Sequence, residues 1–251
     1  MTARPTDLQF RYAGRPRRVR FLERPNRFLA RVQMGPRGPA VRAHVANPGR
    51  MEELLVPGVS RGYVVPAFGP GRSTSYDFVS VRHGRTLVSI DTRIGNRIVS
   101  DVLARSPPSG LEGGGWRAEV RFGPHRFDFA RVDGASGRPT ELLEVKSSNL
   151  RVGRTAMFPD APTERGTRHL RALAEAHRSG VLARVVFVIQ RDDVSEFAPN
   201  RALDPAFGLA FDRALDVGVV VTAHRLRVEP QGVRWGPAVP VRRSAEPERI
   251  K

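Results

Sequence analysis

Between residues 20 and 85 the apolar positions come in short runs separated by turn formers. Residues 27–32 (Arg-Phe-Leu-Ala-Arg-Val) and 40–45 (Ala-Val-Arg-Ala-His-Val) flank Gly35-Pro36-Arg37-Gly38-Pro39, so they are expected to pair as a hairpin. Residues 62–68, 76–81 and 86–90 supply further β-branched and aromatic runs. About five strands in so short a segment predict a small closed barrel, and the OB-fold is the natural candidate. Inside that segment, His44 leads through Val45-Ala46-Asn47-Pro48-Gly49-Arg50 to Met51-Glu52-Glu53-Leu54-Leu55. Asn-Pro-Gly is a turn signature, and a loop with a short helical turn is expected there.

Beyond residue 90 the period changes. Asp91 or Thr92 can cap a helix running to about residue 103, with Ile94, Ile98 and Val102 on its buried face. After a Pro/Gly-rich loop, residues 116–122 read as the first strand of a second domain. Residues 126–132 and 141–147 read as a hairpin around the turn-rich 133–139. Pro162 and Thr163 open a helix that turns Leu170, Leu173 and Ala174 inward and Arg165, Arg168, His169 and Arg171 outward, closing at Gly180. A buried strand at 182–190, a helix from Asp204-Pro205 to Gly218 and a strand at 219–224 follow. This alternation predicts an α/β layer with a mixed sheet, so the chain as a whole is α+β. Four segments result: a basic arm at 1–18, the barrel at 19–86, the α/β domain at 87–236, and a Pro/Arg/Glu tail at 237–251 expected to be flexible.

Charge sharpens this picture. The formal net charge is +17 and the isoelectric point about 11.6, so a polyanion is the expected partner. DNA is the first candidate and RNA stays open. The chain contains no cysteine, which excludes a disulfide partner, a thiolate zinc site and a cysteine nucleophile. The six histidines lack tight metal-ligand spacing. No stretch approaches a membrane span and no apolar signal core opens the sequence, so a cytoplasmic protein without a membrane partner is expected. Most barrel aromatics are expected inside, while Tyr63 with Arg27, Arg31 and Arg42 are candidates for nucleic-acid contact. Arg165, Arg168 and His169 join them, because cations near a helix start oppose the macrodipole unless they meet phosphate.

The candidate chemistry sits on the 126–147 hairpin. Glu144 and Lys146 are two apart and share a strand face, and Asp128 comes from the neighbouring strand. Glu119 could add a third carboxylate. Two carboxylates and an ammonium suit Mg²⁺ or Mn²⁺, held by Asp128 and Glu144, with Lys146 steadying a phosphate or an attacking water. The alternative is an ordinary solvated charged face. Against it, Leu142-Leu143-Glu144-Val145 is nearly apolar, so the carboxylate needs a partner. Lys146 is also one of two lysines, with Lys251, among 42 basic side chains. A chain that uses arginine almost everywhere keeps a compact ammonium at this position. The pattern resembles that of the PD-(D/E)xK nuclease superfamily.

Several stretches together resemble the sugar fermentation stimulation protein family. They are the loop with Asn47 and Gly49, Arg126-Phe127-Asp128-Phe129, Leu143-Glu144-Val145-Lys146-Ser147, and Phe197-Ala198-Pro199-Asn200 followed by Asp204-Pro205. Most specific is Phe158-Pro159-Asp160-Ala161-Pro162-Thr163-Glu164-Arg165-Gly166 with His169-Leu170 behind it. The resemblance implies an OB-like N-terminal domain and a PD-(D/E)xK nuclease-like C-terminal domain, in a DNA-binding family linked to regulation of sugar metabolism. It places Glu119, Asp128, Glu144 and Lys146 at the nuclease-type positions, and Asp160, Thr163, Glu164, Arg165 and His169 in the signature loop and helix. Pro48 stands where a threonine is expected, and Asp91 where an asparagine is. The leading expectation is a metal-dependent nuclease site on a DNA-binding protein. The runner-up is a catalytically silent DNA-binding regulator of sugar metabolism that keeps the fold, and a small-molecule-binding regulator ranks behind both. The sequence leaves the oligomeric state open, a homodimer included.

Overall fold

The computed structural model describes residues 10–244. They divide into two compact units that are not contiguous in sequence. The first takes residues up to 98 with 190–193 and 226–236; the second takes 99–189, 194–225 and 237 onward.

In the first unit β1 (Phe10–Arg11) precedes β2 (Arg17–Asn26), β3 (Leu29–Met34), β4 (Ala40–His44), β5 (Arg61–Pro66), β6 (Tyr76–His83) and β7 (Thr86–Ser89). β2 runs antiparallel to both β3 and β5, β3 to β4, and β5 to β6. A parallel contact of β4 with β6 at His44↔Asp77 closes five strands into the expected OB-like barrel. Alternation explains why these residues form it: along β2, Val19 and Phe21 are buried while Arg18 and Arg20 face out. The interior stacks Phe21 on Phe78 and is filled from one side by Met51 and Leu54 of the expected turn. β2 corrects the reading of 1–18 as an arm, since Phe10–Arg11 and the start of β2 are strands. The outward face of β2 carries arginine, which conceals the period-2 pattern. Residues 1–9 lie outside the described residues.

α1 (Arg93–Arg105) buries Ile94, Ile98 and Val102 as expected, and Asp91 Oδ1 accepts the Arg93 backbone N–H at 3.0 Å. The division between the units falls within this helix.

The second unit begins with β8 (Trp116–Phe122), β9 (His125–Val132) and β10 (Pro139–Ser148), a consecutive antiparallel set. After β11 (Leu150–Val152) and β12 (Thr155–Phe158) come α2 (Glu164–Arg178), β13 (Leu182–Ile189), β14 (Glu196–Pro199), α3 (Pro205–Asp216), β15 (Val220–Glu229) and β16 (Gly232–Val239). β13 lies parallel to β10 and to β15, so the sheet is mixed. Parallel strands covered on both faces need apolar side chains throughout, and residues 185–189 of β13 are all buried. Phe187 stacks on Phe197 with centroids 4.1 Å apart, and Phe207 and Phe211 of α3 complete that core. β11, β12 and β14 form a small separate sheet that the sequence pattern does not reveal.

Both helices start where the sequence places them. Thr163 Oγ1 accepts from Gly166 N at 3.1 Å, and Asp204 Oδ1 accepts from Phe207 N at 2.9 Å with Pro205 opening the helix. The tail expected from residue 237 is corrected: β16 runs to Val239, which is buried, and Val241 bridges to Phe197. Phe197 N donates to Pro240 O and Arg242 N to Phe197 O. The two backbone bonds and two valines fix a segment whose Pro/Arg composition reads as disordered. Residues 245–251 lie outside the described residues. In the first unit, β1 pairs antiparallel with β16 at Phe10↔Val233. No described helix is long and apolar enough to cross a membrane.

Candidate active site

β9 and β10 carry the site. Their register runs Glu141↔Arg131, Leu142↔Ala130, Leu143↔Phe129, which brings Asp128 level with Glu144 where the ladder ends. There Asp128 Oδ2 accepts the Val145 backbone N–H at 2.8 Å, so a side chain replaces the missing strand partner and is fixed by it. Leu142, Leu143 and Val145 are buried and hold β10 in the sheet centre, which forces Glu144 inside as well, with 3 % of its surface exposed.

A buried carboxylate needs partners, and Glu144 has two on one oxygen. Lys146 Nζ donates to Oε1 at 2.6 Å, and His169 Nδ1 lies in short contact with the same atom. A carboxylate can only accept, so Nδ1 carries the hydrogen. Nζ and Nδ1 stand 3.5 Å apart. Burial pushes the Glu144 carboxyl up and is the strongest single influence, but the hydrogen bonds and charges of His169 and Lys146 together outweigh it. The group is held below the usual carboxylate range and stays ionised. Its other oxygen, Oε2, is buried and has no hydrogen-bond partner among the described residues.

That orphaned atom contrasts with Glu141, three residues earlier on the same strand. Glu141 is equally buried, but one oxygen accepts from Arg184 Nε and the other meets Arg131 Nη1 at 3.0 Å. Glu141 is a completed ion-pair site, whereas Glu144 keeps an acceptor in reserve. An ionised carboxylate with a free, desolvated oxygen beside a half-buried aspartate is a donor set that fits a hard divalent cation. Among the described residues no cluster of three or more acidic or histidine side chains is arranged around a metal position.

Glu119 does not join the pair. It lies level with Asp128 in the β8–β9 register, between Ala118↔Phe129 and Val120↔Phe127, but its φ is 57°. Its carboxylate, 57 % exposed, meets Arg126 Nε at 3.3 Å. A glutamate at positive φ breaks the regular pleat, and side-chain alternation gives no warning of it.

His169 is the larger correction. The sequence reading turns it outward with the arginines; the structure buries it on α2 with 6 % exposure, against Glu144 and between Phe127 and His125. Helical spacing could have found it, since His169 sits four residues before Leu173 and three after the buried Gly166. Arg165 and Arg168 are exposed as expected, with Arg168 3.6 Å from Glu164. Thr163 caps α2, and its own N–H donates to Asp204 Oδ2 at 2.8 Å, so one aspartate serves the starts of both α2 and α3. Asn200 ties in the same loop through Nδ2 to Pro159 O, and Asp160 lies half-buried within it.

In the barrel, Asn47 is buried and its Oδ1 accepts from Gly49 N at 2.8 Å. Arg24 fastens this loop from β2, donating to the carbonyls of Asn47, Gly49 and Arg50. The Asn-Pro-Gly loop is thus held through its backbone. Arg27, Arg31 and Arg42 are exposed; Arg31 and Arg42 are cross-strand partners, and Arg31 pairs with Glu23 at 2.5 Å. Tyr63 lies on β5, lining a cleft of about 500 Å³ with Arg18, Arg20, Arg61 and Arg82, four cations the sequence reading did not single out.

A barrel of OB type followed by a mixed sheet carrying Asp and Glu-x-Lys on adjacent strands defines a two-domain protein with a PD-(D/E)xK-type second half. The profile described as the SfsA N-terminal OB domain matches residues 22–90, and that of the sugar fermentation stimulation protein RE domain matches residues 93–232. The sugar fermentation stimulation protein homologue of Chloroflexus aurantiacus is 44 % identical over 222 residues, covering 88 % of this chain and 83 % of its own. That of Moorella thermoacetica is 42 % identical over 212 residues, covering 84 % and 89 %. The structure of Pyrococcus furiosus SfsA, described in complex with Ca²⁺, superposes with a TM-score of 0.83 at 29 % identity, over 94 % of this chain and all of that one. The chain belongs to the sugar fermentation stimulation protein family.

Proposed function

We propose that this protein binds DNA and hydrolyses phosphodiester bonds at Asp128, Glu144 and Lys146 with Mg²⁺ or Mn²⁺, working in the cytoplasm. The observation that carries the reading is the buried Oε2 of an ionised Glu144, unpartnered among the described residues, beside Lys146, one of the chain's two lysines. Asp128 and Glu144 would hold the ion, which would supply Lewis-acid polarisation of the phosphate and a more acidic bound water. The Pyrococcus relative's Ca²⁺ is a hard cation of the class such oxygens select.

The chain's own residues have separable tasks. Val145 N–H fixes Asp128, and His169 Nδ1–H fixes the orientation of Glu144. Lys146, 12 % exposed at its side chain, presents an ammonium whose three hydrogens exceed the one that Glu144 accepts. The spare donors can stabilise charge that builds on a phosphate oxygen. Arg165 and Arg168 at the start of α2 offer further cations for the backbone.

A second reading, a silent DNA-binding regulator of sugar metabolism, draws on the missing third acidic ligand, since Glu119 faces Arg126. Labelled single- and double-stranded DNA and RNA, incubated with Mg²⁺, Mn²⁺ or EDTA, separate the two. Cleavage that needs the metal and disappears in Lys146→Ala and Asp128→Ala, both still binding, is expected. Binding without cleavage by the wild type under every metal condition would leave the silent regulator.

A further inference from the structure

The barrel carries a second set of groups that the hydrolytic site does not use. β2 and β5 pair at Arg18↔Tyr63 and Arg20↔Arg61, and Arg82 follows on β6, one residue beyond Val81↔Gly62. Period-2 alternation therefore gathers four guanidinium groups and one phenol ring on one outer face. With Gly35 and Pro36 of the β3–β4 turn they line the cleft of about 500 Å³.

Three observations say what it takes. Arg18, Arg20, Arg61 and Arg82 are exposed, and none has a carboxylate partner among the described residues. Among the described residues the Arg20 side chain donates only to Gln33, and that of Arg82 only to the Arg85 carbonyl. The other basic face, on β3 and β4, is partly neutralised because Arg31 is tied to Glu23. Second, no ring or guanidinium among the described residues stacks on Tyr63, unlike Tyr76, which has Arg17 over it at 5.9 Å. Third, the volume suits one or two nucleotide units and not a duplex.

We propose that this β2–β5–β6 cleft is a single-strand subsite: one base stacks on Tyr63 while Arg18, Arg20, Arg61 and Arg82 hold the flanking phosphates. The inference rests on the reading that the chain binds nucleic acid, and it names the strand form and the residues that bind it. It does not depend on whether the Glu144 site turns over.

The test uses the full chain carrying Lys146→Ala, in EDTA, so that substrate survives. Anisotropy of a labelled oligothymidylate of about ten nucleotides is followed against salt, beside a duplex of equal length and free thymidine monophosphate as competitor. Tyr63→Ala is expected to weaken oligonucleotide binding about ten-fold, and Tyr63→Phe to leave it within two-fold, because the ring and not the hydroxyl stacks. Arg18→Ala with Arg61→Ala is expected to lower the slope of log affinity against log salt by about 1.4, two single-strand phosphate contacts. Both arginines are exposed, so this pair carries the test if Tyr63→Ala fails to fold. The proposal is overturned if the arginine pair leaves affinity and slope unchanged, if the duplex binds as tightly, or if the mononucleotide displaces the oligonucleotide at equal concentration. A wild type that never cleaves bears on the hydrolytic reading alone.

Discussion

Glu141 and Glu144 lie on one strand and are equally buried, yet they do different work. Glu141 has each oxygen matched by an arginine whose side chain is at most about a quarter exposed, Arg131 at 26 % and Arg184 at 15 %. Removing its charge leaves two cations facing a neutral amide, so Glu141→Gln is expected to cost about 2 kcal/mol in urea unfolding, below the full value for a wholly buried pair. Glu144→Gln removes a charge whose second oxygen has no partner among the described residues, and the new amide can still accept from Lys146 or His169. Its unfolding midpoint is expected to fall by less than that of Glu141→Gln, while divalent-cation affinity is lost. Calorimetric titration with Mn²⁺ alongside the urea curves checks both. Equal destabilisation and intact cation binding would make Glu144 a structural residue like its neighbour.

At the level of elements, Asp204 joins two helix starts with one carboxylate: Oδ1 caps α3 at Phe207 N, and Oδ2 holds Thr163 N, the residue that caps α2. Asp204→Ala therefore removes a cap, worth about 1 kcal/mol, and orphans a second donor at similar cost; a loss of about 2 kcal/mol is expected. Asp204→Asn keeps one acceptor oxygen and is expected to lose about half as much, at an unchanged denaturant slope. The elements with such chemistry at their ends were the legible ones. Thr163, Asp204-Pro205, Gly180 and Gly218 mark helices by mechanism, and the apolar run of β13 marks a covered strand. β2 and the end of β16 were obscured because arginine and proline occupy their exposed positions, leaving Val19, Phe21, Val239 and Val241 as sparse signals. β11, β12 and β14 span three or four residues each, too few for a period to register. The same logic divides the site. Asp128, Glu144 and Lys146 follow from strand alternation. His169 was obscured because a titratable side chain on a helix reads as solvated, and Glu119 because positive φ breaks the alternation that would aim it.

For the whole molecule the dominant quantity is the net charge of +17, carried by forty arginines and two lysines. Arginine forks pair with phosphate oxygens bidentately and are weakly hydrated, so a surface rich in them suits a polyanion's backbone. Binding governed by phosphates must release counterions, and it weakens as salt rises with a slope of about 0.7 per phosphate on a single strand. If the four arginines of the β2–β5–β6 cleft each neutralise one phosphate, the logarithmic slope is about −2.8, and affinity falls about 50-fold between about 50 and 200 mM salt. Oligonucleotides of different sequence but equal length are expected to share that slope and to agree within a few-fold in affinity. Anisotropy titrations at four or more salt concentrations, on sequences matched in length, measure both quantities. A flat salt dependence would mean that the basic surface is incidental and would favour a small-molecule regulator. Strong sequence discrimination at a shallow slope would mean that bases, not phosphates, carry the recognition, and that the cleft's cations act at some other ligand.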